Sequence, residues 1–181
     1  MTSRSGNDNT FAVIGAGMSG VLAGIKLMEA GYPFQIFEKA DRVGGTWREN
    51  TYPGIACDVP SHIYSYSFEL NPDWSEFTSP GAEVQEYFEK VSKRYGVDPH
   101  IRFNEAVTRC SWLGDIWEIE TEKGNVEHFR WVIAATGILH HPKYPNIDGL
   151  DDFEGPMFHT ARWDHDVSIE GKKVGLIGAG S

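Results

Sequence analysis

The sequence is short of cysteine, short of basic residues and without a long apolar run, and each shortage closes off a class of function. Cys57 and Cys110 are the only cysteines, far apart and with no CxxC. That argues against a disulfide framework and for reduced thiols. Sixteen Lys and Arg face 26 Asp and Glu, a formal charge of −10. Binders of phosphate backbones carry basic patches, so nucleic acid is not an expected partner. No stretch reaches the ~18 apolar residues of a membrane helix. The opening "MTSRSGNDNT" lacks the apolar centre of a secretory signal. Residues 1–10 are therefore expected to be a disordered leader, membranes are not an expected partner, and the expected location is cytoplasmic. There is no GxSxG, so a hydrolase nucleophile elbow has no support. Seven histidines are present, among them His140-His141 and those of "HTARWDHD" at 159–166, but none has zinc-site spacing. No metal is expected.

What is present begins with an ordinary globular composition, 40% hydrophobic and 23% charged over 181 residues, enough for one domain or one and a fraction. Phe11–Ile14 is a short apolar run of the kind that forms a buried parallel strand. Gly15, Gly17 and Gly20 follow in GxGxxG spacing, with Ser19 inside the turn. The first glycine permits the tight turn, the second lets backbone approach a pyrophosphate, and the third allows close helix–strand packing. Met18, Val21, Leu22, Ile25 and Met28 then recur at helical period, and Gly31 followed by Tyr32-Pro33 should end that helix. "FQIFE" reads as the next strand, ending on Glu38. Strand, glycine turn, helix and an acid ~20 residues on make the dinucleotide fingerprint. The free N–H groups of the helix N-terminus would meet the pyrophosphate. Glu38 would accept hydrogen bonds from ribose hydroxyls and repel a 2′-phosphate, which favours FAD or NAD over NADP in this turn.

After Glu38 the chain lacks periodicity and reads as a long loop, a kind of segment that is usually functional. "GGTWRENTYPGIACD" places Gly44, Gly45, Trp47, Tyr52, Pro53, Gly54 and Asp58 on the pattern [A/G]GxWxxxx[F/Y]PGxxxD. This stretch resembles the Baeyer–Villiger monooxygenases. Further on, Phe153, Gly155, His159, Trp163 and Asp164 fit FxGxxxHxxxW[P/D], a second pattern of that family, with Asp164 where many members carry proline. A third feature, "KKVGLIGAGS", reads as a strand at Val174–Ile177 opening a second glycine turn at Gly178 and Gly180.

The resemblance implies an α/β two-dinucleotide-binding-domain flavoprotein: a Rossmann-like FAD domain with a β-meander insertion, the chain being truncated at the start of the NADPH domain. Residues 11–140 would be the first segment of the FAD-binding domain, 141–170 a linker, and 171–181 the start of the NADPH-binding domain. Between them, 82–95 reads as a helix with Val84, Tyr87, Phe88 and Val91 on one face, and "DIWEIETEKGNVEHF" as a hairpin turning at Lys123-Gly124-Asn125. Trp112, Trp117 and Trp131 are expected in the core. FAD would be held by Gly15, Gly17, Ser19, Gly20, Glu38, Gly45, Thr46, Trp47, Asp58, Tyr64 and, through its backbone, Val107. NADPH would be held by Gly178, Gly180 and Ser181. Asp58 would orient a catalytic Arg that lies beyond the chain end, while His159 and Trp163 would couple domain movement to catalysis. The implied reaction consumes NADPH and O₂ and inserts one oxygen atom beside the carbonyl of a small ketone, giving an ester or lactone. The chain by itself should not turn over. An N- or S-hydroxylating relative and a non-catalytic FAD-binding module stay open, as do the ketone and the oligomeric state.

Overall fold

The computed structural model describes residues 10–178. Four parallel strands form the central sheet in the order β3-β2-β1-β7, with β1 at Phe11–Ile14, β2 at Phe34–Phe37, β3 at Ile101–Arg102 and β7 at Trp131–Ala134. Strand β1 is interior, pairing Phe11 with Phe34 on one side and with Trp131 on the other. Ala12 and Val13 are fully buried, as the continuous apolar run requires. A separate antiparallel sheet, β4-β5-β6, comprises Val107–Trp112, Trp117–Thr121 and Val126–Phe129. It is the expected meander, with the β5–β6 turn at Lys123–Asn125. Strand β7 then returns to the central sheet beside β1.

Helix α1 (Met18–Glu29) ends where the sequence indicates. Gly31 takes a positive φ of 73°, and the Gly31 and Tyr32 N–H groups donate to Met28 and Leu27. Its buried face matches the expected stripe in part. Val21 and Ile25 are buried and Leu22 packs on the core, but Met18 and Met28 at the two ends are exposed, and Gly20, Gly24 and Leu27 are buried instead. The glycines set this face: a Cβ on Gly24 would lie 2.8 Å from Val97 Cγ1, so the helix approaches more closely than a larger residue permits.

Helix α3 (Gly81–Arg94) buries Val84, Tyr87, Phe88 and Val91, the face read from its period. The long segment between β2 and α3 is less irregular than expected, holding a one-turn helix α2 (Thr46–Glu49) and a 3₁₀ turn at Ser61–Ile63. Aromatic contacts order it: Tyr66 packs on Phe68, Tyr87 and Phe88, and Trp74 packs on Tyr87.

Three further expectations need correction. Trp112 and Trp131 are not core residues but are each 51% exposed, Trp112 being the last residue of β4 and Trp131 the first of β7; Trp117 is half-buried against Trp112. Thr10, assigned to the leader, is tied to the sheet, its carbonyl accepting from the Arg130 and Trp131 N–H groups. Val174–Ile177 forms no strand and is exposed, since no strand among the described residues lies alongside to complete a ladder.

The two sheets are joined by a charged seam. Glu105 is buried and accepts from the Asn125 amide and the Thr121 hydroxyl, with Lys123 Nζ at 3.9 Å and Arg102 at 4.0 Å. The Asn125 hydrogen bond first, then that of Thr121 and the two cations, hold its carboxyl below the usual range against the opposing effect of burial. A depressed folded-state pKa contributes stability above the ordinary carboxylate value and loses it as pH falls through the folded value. Glu105→Gln should therefore destabilise the protein at neutral pH and flatten the acid limb of its stability curve. Urea midpoints compared at about pH 7 and about pH 3.5 check this: the wild-type advantage should shrink at the lower pH.

Candidate functional site

The glycine turn after β1 is built so that hydrogen alone fits at two positions. Gly15 has φ 100°, and a Cβ there would sit 2.6 Å from the Ala135 carbonyl oxygen. A Cβ on Gly20 would fall 1.9 Å from the Gly15 oxygen, which brings the first turn of α1 directly onto the loop. Gly17 is the N-cap of α1; the helix has neither a side-chain cap nor an acid in its first turn. Its leading N–H groups therefore face outward with the positive end of the helix dipole, suited to an anion. Ser19 is exposed on that turn.

Glu38, one residue beyond β2 and 7% exposed, reaches back to this turn. One carboxylate oxygen accepts from Ala16 N–H at 2.6 Å and the other from Ala40 N–H at 2.8 Å. Gly15 N–H also donates to the Phe37 carbonyl. The acid thus organises the glycine turn from within, a role the sequence alone does not reveal. Each oxygen keeps a second lone pair with which to accept from a ligand hydroxyl.

The loop carrying GGTW lies against the same turn. Gly44 N–H donates to the Ala16 carbonyl, and a Cβ on Gly45 would come within 3.0 Å of Gly17 Cα. Gly45, at φ 57°, starts α2; Thr46 is exposed and Trp47 half-buried. The Trp47 indole N–H donates to Tyr64 Oη at 3.1 Å, with the rings edge to face at 5.5 Å. Burial pushes the Tyr64 phenol above its usual range, and the nearby Cys57 and Asp58 add to that while the Trp47 hydrogen bond opposes it. Asp58 is exposed next to buried Cys57. Val107, at the start of β4, is half-buried against the small core of Ala12, Phe37, Ile119 and Phe129. The Gln85 amide, which no motif flagged, donates to the Val43 carbonyl at 2.6 Å and fills the space where Gly44 would carry a side chain.

The second pattern folds as an irregular segment. His159 Nδ1 accepts from Ala161 N–H at 3.0 Å and so caps the 3₁₀ turn Thr160–Arg162; an accepting Nδ1 places any neutral-ring proton on Nε2. Its ring packs on Tyr144, and Trp163 packs on Phe158. Gly155 is where a Cβ would meet the Phe153 ring at 2.6 Å. Gly178 has φ 101°, as a tight glycine turn would need; Gly180 and Ser181 lie outside the described residues. An open cleft of ≈ 350 Å³ next to Gly54, Glu76 and Pro80 contains none of the expected cofactor residues. Among the described residues no group of three or more His, Cys, Asp or Glu is placed to hold a metal ion, and no helix is long and apolar enough to cross a membrane.

Strand, glycine turn, capless helix and returning acid define a dinucleotide-binding flavoprotein-type α/β unit, and the chain belongs to the pyridine nucleotide-disulphide oxidoreductase family, whose model matches residues 12–181. Within it, the similarity is to the Baeyer–Villiger monooxygenases. The chain is 47% identical over 173 residues to a Baeyer–Villiger monooxygenase of Streptomyces coelicolor, covering 94% of this chain and 33% of that protein. It superposes with a TM-score of 0.88 on ε-caprolactone-bound cyclohexanone monooxygenase, 39% identical over 96% of this chain and 35% of the other. It matches OTEMO in complex with FAD and NADP with a TM-score of 0.79 and 32% identity, covering 90% of this chain and 32% of that one. The chain thus spans about a third of the length of these relatives.

Glu38→Gln keeps the side-chain shape but turns an NH₂ toward one of two backbone N–H groups. The expected cost is about 1.5–3 kcal/mol of stability, the range for hydrogen bonds to a charged acceptor. Denaturant unfolding without added nucleotide measures it, and an unchanged midpoint would mean that the turn holds its shape without the acid.

Proposed function

We propose that the whole protein is an FAD-dependent, NADPH-consuming Baeyer–Villiger monooxygenase that converts a ketone to an ester or lactone. The observation that carries this reading is the contact of Gly45 with Gly17. It brings the GGxW loop, the stretch that resembles this family rather than dinucleotide folds at large, onto the pyrophosphate turn. The residues present fit FAD: two positions admit no side chain, the helix N-terminus offers N–H groups, and the buried carboxylate of Glu38 has acceptor capacity left for ribose. The negative charge of Glu38 opposes a 2′-phosphate, so NADPH belongs at the second turn, with Gly178, Gly180 and Ser181.

When held here, FAD would supply the redox chemistry that couples NADPH and O₂ to oxidation of the ketone. The chain's own residues position and shield. Gly15, Gly17, Ser19 and Gly20 bind the pyrophosphate. Trp47 and Tyr64, locked edge to face, wall the flavin together with Gly45 and Thr46. Val107 offers backbone to the adenine end. Asp58 orients a guanidinium supplied from outside the described residues, through charge-assisted hydrogen bonds. Residues 11–140 form the first segment of the FAD domain, 141–170 the linker and 171–181 the start of the NADPH domain.

The test is oxidation of cyclic and linear ketones by the whole protein with NADPH under ¹⁸O₂. One labelled oxygen in the ester is expected; labelled amine or thioether products with no ester would replace this reading with that of a heteroatom hydroxylase. In the same enzyme His159→Ala should retain FAD yet lose at least about tenfold in ketone turnover, on the order of 1.4 kcal/mol. Steady-state kinetics with flavin content measured in parallel checks both halves.

A further inference from the structure

The residue of the second pattern that reaches across to the flavin-side loop is one that the pattern leaves unspecified. Among the described residues the hydrogen bonds of His159 stay within its own segment, to Tyr144 and Ala161. Arg162 does otherwise. Its guanidinium lies 3.3 Å from Glu49 Oε2, at the last residue of α2, and donates to the carbonyls of Ala161 and His140. Glu49 is well shielded, its side chain 15% exposed, and its other oxygen takes Arg48, which in turn grips Asp41. Two more contacts flank this one: Thr51 Oγ1 with His165 Nε2 at 2.8 Å, and Lys39 with His140. All three join residues 140–165 to residues 39–51, the stretch that contains Gly45, Thr46 and Trp47.

We propose that Arg162 is a positioning residue that clasps the linker onto α2 through Glu49, and that His159 acts by capping the turn that presents it. A planar guanidinium suits this place because it serves a carboxylate and two carbonyls at once, which a lysine ammonium on a flexible stem does less well. When the linker shifts, the charge shared by Arg48, Glu49 and Arg162 redistributes, and α2 shifts with it. The flavin-side loop therefore senses the linker through an ion pair.

Amide hydrogen exchange on the FAD-loaded protein tests the clasp. Arg162→Glu and Glu49→Arg should each speed exchange in Trp47–Asn50 roughly two- to fivefold, the scale of a partly exposed ion pair. The Arg162→Glu/Glu49→Arg double variant should bring it back toward wild type. Unchanged exchange in the single variants, or no recovery in the swap, overturns the proposal. If Glu49→Arg fails to fold beside Arg48, the neutral pair Arg162→Gln and Glu49→Gln serves instead: effects that simply add would overturn the clasp, and effects that do not add support it. The consequence for turnover rests on the proposed oxygenase reading: Arg162→Glu should consume several-fold more NADPH per ester formed, with recovery in the swap. If the protein oxidised no ketone at all, that reading would fail while the exchange data still decided the clasp.

Discussion

The two hydrogen bonds accepted by Glu38 hold the rest of this site in place. A buried carboxylate is costly unless its oxygens are satisfied, and here backbone N–H groups of Ala16 and Ala40 satisfy them. The first ties the end of β2 to the glycine turn after β1. The second fixes the chain as it leaves β2 for the loop of the family pattern. On its other side the backbone of residue 38 is paired to Arg102 and Glu105, which links the turn to the meander through the charged seam. The acid is thus a structural hub, joining β2, the glycine turn and the loop that follows.

Around that hub, close backbone approach replaces side-chain packing. Gly20 on Gly15 and Gly15 on Ala135 leave no room for Cβ atoms, and Gly45 lies tightly on Gly17. A ligand laid over such a surface can meet N–H groups directly, with the field of α1 behind them. Glycine costs backbone entropy, and aromatic packing beside the turn offsets it. Tyr66 donates to the Met18 carbonyl on the first turn of α1, while its ring packs with Phe68, Tyr87 and Phe88. The loop without periodicity is therefore held by rings on α3 and by the bond of its own Tyr66 phenol to α1.

Residues 141–170 are held differently. They are largely exposed, and their attachments to residues 49–51 are single polar contacts, each of which stabilises by little on its own. A segment tied by a few such contacts opens at low free-energy cost compared with one that buries apolar surface. An aromatic-packed loop and a polar-tethered segment thus lie side by side, held by interactions of different kinds.

Much of this was legible in the chain itself. Short strand-like runs located β1 and β2, helical period located α1 and α3, and glycine spacing and turn residues located the glycine turn and the β5–β6 hairpin, because these depend on neighbours in sequence. The meander and the flavin-side loop were legible through motifs. What stayed hidden depends on partners distant in sequence. Trp112 and Trp131 look like core residues until the strands are seen to end at one and begin at the other, where no core covers them. Met18 and Met28 fit a helical stripe, yet only its middle, Val21 and Ile25, is buried, beside Gly20 and Gly24 where the backbone comes close. Arg162 and Glu49 lie 113 residues apart by number (162 minus 49), and no local pattern pairs them. Val174–Ile177 has a strand's composition but pairs with no strand among the described residues, since a ladder needs a neighbour and composition cannot supply one. The sequence determined which segments could form elements and which turn could meet a dinucleotide; tertiary structure decided which faces those elements bury and which charges meet, because burial and pairing belong to the folded chain and not to any residue in it.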